Sequence, residues 1–138
     1  MSRHWPFGID VTIRTFDIDF AGHVSNIVYL EWLEIARTEL LEEVGLPIPV
    51  ILDEGFAPVV ARTEIEYRRP LLLGDPVRVN LAVARLRSLS ALLEFEVRSG
   101  DTVAATARQL GVFVSTATGK PRRLEPEVRD RFLPYVLA

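Results

Sequence analysis

FDIDFAGHVSNIVYLEWLEIAR, residues 16–37, sets two carboxylates and a Gly-His pair directly ahead of an apolar helix. From Val24 to about Val44 the apolar positions Val24, Ile27, Val28, Leu30, Trp32, Leu33, Ile35, Ala36, Leu40, Leu41 and Val44 cover well over half of a helical wheel. Glu31, Glu34, Thr38 and Glu42 leave only a narrow polar strip, so the pattern predicts a helix enclosed by the rest of the chain. Ser25 or Asn26 can cap its start, and Gly45 followed by Pro47 is its stop. At ~1.5 Å per residue such a helix is about 30 Å long, the breadth of a small domain. One enclosed helix of that length calls for a sheet wrapped around it.

On the amino-terminal side, Ile9 to Thr15 alternates, with Ile9, Val11 and Ile13 against Asp10, Thr12 and Arg14, the period of a half-buried strand. Continued, that alternation puts Asp17 and Asp19 on the buried face with Ile13, where a carboxylate needs a reason. On the other side Pro47 to Pro58 reads as a connection. Strands follow at Val59 to Arg69, Val77 to Arg87, Ala91 to Arg98 and Thr102 to Ser115, broken at Gly74-Asp75-Pro76, at Arg87 to Ser90 and at Ser99-Gly100-Asp101. Thr116 to Pro121 closes the last strand, and Glu125 to Leu137 reads as a short terminal helix or irregular tail. Strand, helix, then four strands on short turns implies an α+β fold: an antiparallel five-stranded sheet wrapped around one long central helix, a single domain over residues 1–138.

Composition narrows the function classes. With 16 basic and 19 acidic residues and net charge -3, the chain is not a general nucleic-acid binder. Without cysteine it has no disulfide, thiolate ligand or cysteine nucleophile, and with two histidines a zinc site would need carboxylates, so neither a metal nor a cofactor is expected. Met1 to Gly8 lacks the apolar run of a signal peptide, and no stretch of about 18 apolar residues occurs, so a cytoplasmic protein with no membrane partner is expected.

The element order and the segment Asp17-Ile-Asp19-Phe-Ala-Gly22-His23-Val24-Ser25-Asn26-Ile-Val-Tyr29-Leu-Glu-Trp32 resemble the hotdog-fold thioesterases, in particular the 4-hydroxybenzoyl-CoA thioesterase type and its acyl-CoA relatives. The resemblance runs from about Asp10 to Ser115 and includes Glu64-Ile-Glu66-Tyr67 and Pro70-Leu-Leu-Leu-Gly74-Asp75. The family pattern is commonly Asp-x-Asp-x-x-Gly-His-Val-Asn-Asn; here Ser25 stands at the first Asn, and serine caps a helix equally well.

The resemblance implies hydrolysis of an acyl-CoA or acyl-carrier-protein thioester. It assigns Asp19 as nucleophile through a mixed anhydride or as general base for water. Amides at the helix start, around Val24 to Asn26, would hold the oxyanion, where orphan N–H groups and the positive end of the helix converge. Gly22 would let the carbonyl approach that backbone, and His23, Ser25 and Asn26 would shape the turn or position substrate. Asp17 would hold the turn itself. Tyr29, Trp32 and Leu33 would line the pocket or the core. For the phosphates of the thiol arm, Arg85, Arg87, Arg122 and Arg123 are the candidates, because guanidinium forks match phosphate.

Long sheet edges and apolar residues on both strand faces from Val77 to Val114 predict a homodimer paired edge to edge with the pocket between subunits, or a homotetramer. Two rival functions have signatures of their own. A hotdog hydratase or dehydratase resembles Asp-x-Asn-Pro-x-His, five residues from Asp to His, whereas Asp19 to His23 is four with no Asn-Pro. A non-catalytic acyl-CoA-binding module would bind without turnover.

Overall fold

The computed structural model describes residues 4–137. Strands β1 (Phe7–Val11), β2 (Phe56–Tyr67), β3 (Val77–Leu86), β4 (Ser90–Ser99) and β5 (Thr102–Ser115) form one sheet in the order β1-β3-β4-β5-β2, every neighbour antiparallel. Helix α1 (Asn26–Glu43) lies across it, nearest β3 and β1. This is the α+β wrap the sequence implies. Among the described residues no helix is long and apolar enough to cross a membrane.

The core forms where the two apolar periods meet. Val28, Tyr29, Trp32, Leu33, Ala36, Leu40 and Leu41 are the buried stripe of α1. They pack into one cluster with Val77, Val79 and Leu81 of β3 and Phe95 and Val97 of β4. Fully burying such side chains contributes about 1.5–3 kcal/mol each, so truncating Leu33, at 1% exposure, to alanine costs about 2–5 kcal/mol.

Four details differ from the sequence reading, each for a local reason. Strand β1 ends at Val11, and a 3-10 turn at Thr15–Asp17 replaces its expected continuation. The Asp17 carboxylate Oδ2 accepts from the Arg14 amide at 2.7 Å, and that local bond competes with a ladder. Within the expected connection, Ile48–Asp53 forms a short helix, α2, with Pro47 at its N-cap, Pro49 in its first turn and Ile51 fully buried beneath it. A single sheet encloses only one side of α1, leaving Ile27, Leu30 and Ile35 at 68%, 43% and 44% exposure. The outer face of the sheet is also more polar than expected. Cross-strand register sets Asn80 opposite Glu96 and Glu94 opposite Arg108, with Asp10 bonded to Arg78 at 3.2 Å and Glu96 to Arg98 at 2.8 Å. The chain ends in helix α3 (Pro126–Asp130) and a 3-10 turn at Leu133–Tyr135, whose Tyr135 ring meets Phe7 edge-on at 5.9 Å.

Candidate active site

The segment between the 3-10 turn and α1 is a miniature hairpin. Ile18 bridges Val24, the Asp19 amide donates to the His23 carbonyl at 2.8 Å, and the Gly22 amide donates back to the Asp19 carbonyl at 3.0 Å. Gly22 sits at φ +82°, a conformation side chains resist, so the glycine is a requirement of the turn. The Asp19 carboxylate is held by one oxygen: Oδ1 accepts from the Ala21 amide at 2.9 Å and the His23 amide at 3.3 Å. Among the described residues Oδ2 has no hydrogen-bond donor, which leaves the carboxylate anchored through one oxygen and open at the other. The face-sharing expected for Asp17 and Asp19 does not hold. Because the strand stops at Val11, Asp17 is buried beneath the turn while Asp19 stays at its partly exposed base.

The register of the helix start also differs from expectation. The Val24 amide donates to the Leu71 carbonyl at 2.9 Å and the Ser25 amide to the Asp17 carbonyl at 2.8 Å, so neither is free to hold an oxyanion. Ser25 occupies the N-cap, yet its side chain makes no capping bond. The first-turn amides without an acceptor among the described residues are those of Asn26 and Ile27. The imidazole of His23 and the amide side chain of Asn26 face solvent beside them.

Tyr29, Trp32 and Leu33 are core, at 3%, 3% and 1% exposure, so their bulk supports the helix start from behind. Tyr29 packs on Trp32 at 5.3 Å and edge-on against Tyr67 at 5.1 Å. Burial, and then the neighbouring Tyr67, pushes the Tyr29 hydroxyl up to about 12.

A cavity of about 520 Å³ opens elsewhere, bounded by the second half of α1, α2, the start of β2, the β3–β4 turn and β5. Its walls are largely apolar, with Leu40, Leu41, Ile48, Leu93 and Phe113, and its cations are Arg37, Arg87 and Arg122. Arg122 stacks over the Phe56 ring at 4.5 Å and donates to the Glu54 carbonyl at 3.2 Å. Of the four arginines expected to meet phosphate, Arg87 and Arg122 border this cavity, whereas Arg85 and Arg123 are exposed outside it. No residue of the Asp19 turn lines it. Arg37 follows Asn26 by eleven positions along α1, about 17 Å along the axis.

Two residues absent from the expectations stand out. Arg37 donates to Gln109 Oε1 at 2.6 Å, and Gln109, 3% exposed, donates on to Thr63 Oγ1 at 3.1 Å. Burial holds the Arg37 guanidinium below its ordinary value, with Glu34 acting the other way. A charge on the buried side of an apolar helix, one position after Ala36, was the available signal. Tyr67 closes β2, and its hydroxyl donates to the Asn26 carbonyl at 3.2 Å. Among the described residues no group of three or more His, Asp or Glu side chains is placed to hold a metal ion.

Comparison with known proteins agrees with the architecture. A family model described as the thioesterase-like superfamily matches residues 13–132. The chain is 30% identical over 123 residues to the long-chain acyl-CoA thioesterase FadM of Escherichia coli strain K12, covering 88% of this chain and 92% of that one. It is 28% identical over 129 residues to the acyl-CoA thioester hydrolase YbgC of Escherichia coli O6:H1, covering 93% of each. Among solved structures, a thioesterase from Thermus thermophilus complexed with coenzyme A and Zn superposes with TM-score 0.79 at 33% identity, over 93% of this chain and 92% of that one.

Proposed function

The chain belongs to the thioesterase-like superfamily and is a thioester hydrolase, and from that premise we propose that it splits an acyl-CoA into free acid and thiol with Asp19 and the start of α1. The observation that carries this is the half-anchored Asp19 carboxylate, fixed through Oδ1 by two amides of its own turn and open at Oδ2. Directly after that turn, the Asn26 and Ile27 amides have no acceptor among the described residues, and the positive end of the helix adds to them. In the reaction Oδ2 attacks the thioester carbonyl, or takes a proton from water that does; charge gathers on the carbonyl oxygen, the C–S bond then breaks and the thiolate leaves and is protonated, and on the first route water hydrolyses the resulting anhydride to free acid and Asp19. Donors aimed at that oxygen stabilise it; loss of one such donor elsewhere costs about 3 kcal/mol of barrier. Gly22 leaves open space where a Cβ would stand, so a carbonyl can reach the backbone.

The thiol arm is assigned to the cavity side, where Arg87 and Arg122 border an apolar hollow. A dimer reconciles its distance from Asp19. Among the described residues strand β2 pairs only with β5, which leaves its outer edge unpaired, and Val59 and Val60 are exposed. Pairing that edge antiparallel with the same edge of a second copy brings the Tyr67 end of one strand beside the Phe56 end of the other. Each helix start would then face the other copy's cavity, and the substrate would lie between protomers. The polar outer sheet face argues for this edge ahead of a face-to-face tetramer.

The test is thiol release from acyl-CoAs of graded length, with acyl-carrier-protein thioesters in parallel. Long-chain acyl-CoAs, the class named for the FadM relative, come first. Release is expected from at least one medium or long acyl or aroyl thioester. Tight binding with no turnover across the series would instead mark a binding module, and hydration of enoyl-CoA without thiol release a hydratase.

A further inference from the structure

Strand β2 does more than border the helix start. The Tyr67 hydroxyl donates to the Asn26 carbonyl oxygen at 3.2 Å, and its ring stands edge-on to Tyr29 with centroids 5.1 Å apart and planes at 88°. The ring is 43% exposed, so it borders the opening rather than the core. Three hydrogen bonds thus hold three successive residues of the helix entry: Leu71 holds Val24, Asp17 holds Ser25, and Tyr67 holds Asn26. Of the three, only the Tyr67 bond reaches a residue inside the helix.

That carbonyl is not an arbitrary acceptor. The Asn26 C=O and the Ile27 N–H are the two ends of one planar, conjugated peptide unit. A hydrogen bond donated to the oxygen draws density toward it and leaves the N–H at the other end more positive, the cooperative strengthening seen in hydrogen-bond chains. Ile27 carries one of the two first-turn amides without an acceptor among the described residues. We infer that Tyr67 is a positioning residue of the thioester reaction: its hydroxyl fixes and polarises the Asn26–Ile27 peptide, so that the Ile27 amide meets the developing oxyanion as a stronger, better-aimed donor. The inference rests on the helix-start reading above and assigns a role within it that neither the motif nor the helix alone supplies. Burial raises the Tyr67 hydroxyl above the ordinary tyrosine value, so the proton it donates is retained at neutral pH.

Replacing Tyr67→Phe keeps the ring against Tyr29 and removes only the donor. Strengthening a donor of oxyanion-hole worth by 10–30% corresponds to a fall of about two- to sevenfold in kcat with KM unchanged. Incorporating 3-fluorotyrosine at position 67, a stronger phenol donor, is expected to raise kcat above that of the unaltered chain. In amide NMR spectra the Ile27 proton should shift upfield in the Phe variant while those of Leu40 and Leu41 stay in place. An unchanged kcat in the Phe variant overturns the inference, and so does a loss that the fluorinated residue shares. Asp19→Asn is measured alongside. If it abolishes turnover while Tyr67→Phe leaves kcat intact, the Tyr67 role alone fails; if Asp19→Asn keeps full activity, or the unaltered chain releases no thiol from any acyl-CoA, the underlying reading fails and takes the inference with it.

Discussion

The two ends of α1 are built on opposite principles. At its start the backbone is exposed and ordered by hydrogen bonds: Asp19, Gly22 and His23 close a turn on themselves, and Asp17, Leu71 and Tyr67 tie it to the body. At its second half there is a hollow shaped by side chains, lined by Leu40, Leu41 and Phe113 and rimmed by Arg37, Arg87 and Arg122. One end holds polar groups in fixed directions, as bond-making requires. The other offers apolar volume and positive charge, as binding a long, partly anionic ligand requires. About 17 Å of helix between the two sets lets each be altered without the other.

That separation is broken first at Asp19. Asp19→Asn keeps the two amide bonds to Oδ1 but removes the carboxylate charge, and kcat is expected to fall about 10²–10⁴-fold with KM little changed. Steady-state thiol release checks it, and a variant with near-normal kcat would leave the turn with no chemical role.

At the cavity end the expected sign is the reverse. Gly111 lines the hollow with ordinary backbone angles, and an added Cβ would meet nothing closer than the Ala91 carbonyl at 3.8 Å. Gly111→Leu should therefore fold, fill space and raise KM about tenfold, roughly 1.4 kcal/mol of binding, with kcat retained. Equal KM values for both proteins would move ligand binding out of the cavity. Next in size is the pair Arg87→Ala with Arg122→Gln. These cations are partly solvent-screened, so KM for an acyl-CoA is expected to rise about fivefold. KM for the corresponding N-acetylcysteamine thioester, which lacks phosphates, should stay put. A rise for both substrates would assign the arginines to packing rather than phosphate.

The fold was legible because it rests on periodicity. The helical run after Val24 and the alternations after Val59 could only be a helix on an antiparallel sheet, and the turn glycines Gly45, Gly74 and Gly100 all take positive φ. The candidate site was proposed from its motif rather than from strand parity. Parity held for Asp17, which is buried like Ile13, and failed at Asp19, because the strand stops at Val11 and a 3-10 turn carrying the Asp17–Arg14 bond follows, a competition that alternation cannot register. Of the amides expected to face an oxyanion, Val24 to Asn26, the first two are engaged, by Leu71, distant in sequence, and by Asp17. The cavity, the Arg37–Gln109–Thr63 chain and the Tyr67 clamp all join segments far apart in sequence, where local patterns carry no information.

The smallest effect concerns what lies behind the exposed turn. Tyr29 is 3% exposed at the back of the helix start, and its hydroxyl is raised to about 12 by burial and then by Tyr67. In the unfolded chain the same group titrates near 10, so between about pH 10 and 12 the unfolded state gives up its proton first. The unfolded state then binds fewer protons, and stability falls as pH rises through that window. Two pH units correspond to at most about 2.7 kcal/mol. Tyr67 and Tyr135 are also raised by burial, so the unaltered chain and Tyr29→Phe should both weaken in alkali. The Phe variant should lose about 2 kcal/mol less between pH 9 and 11.5 when unfolded with urea. Parallel losses would mean that water reaches the Tyr29 hydroxyl, and the helix start would then be wet on both sides instead of polar in front and dry behind.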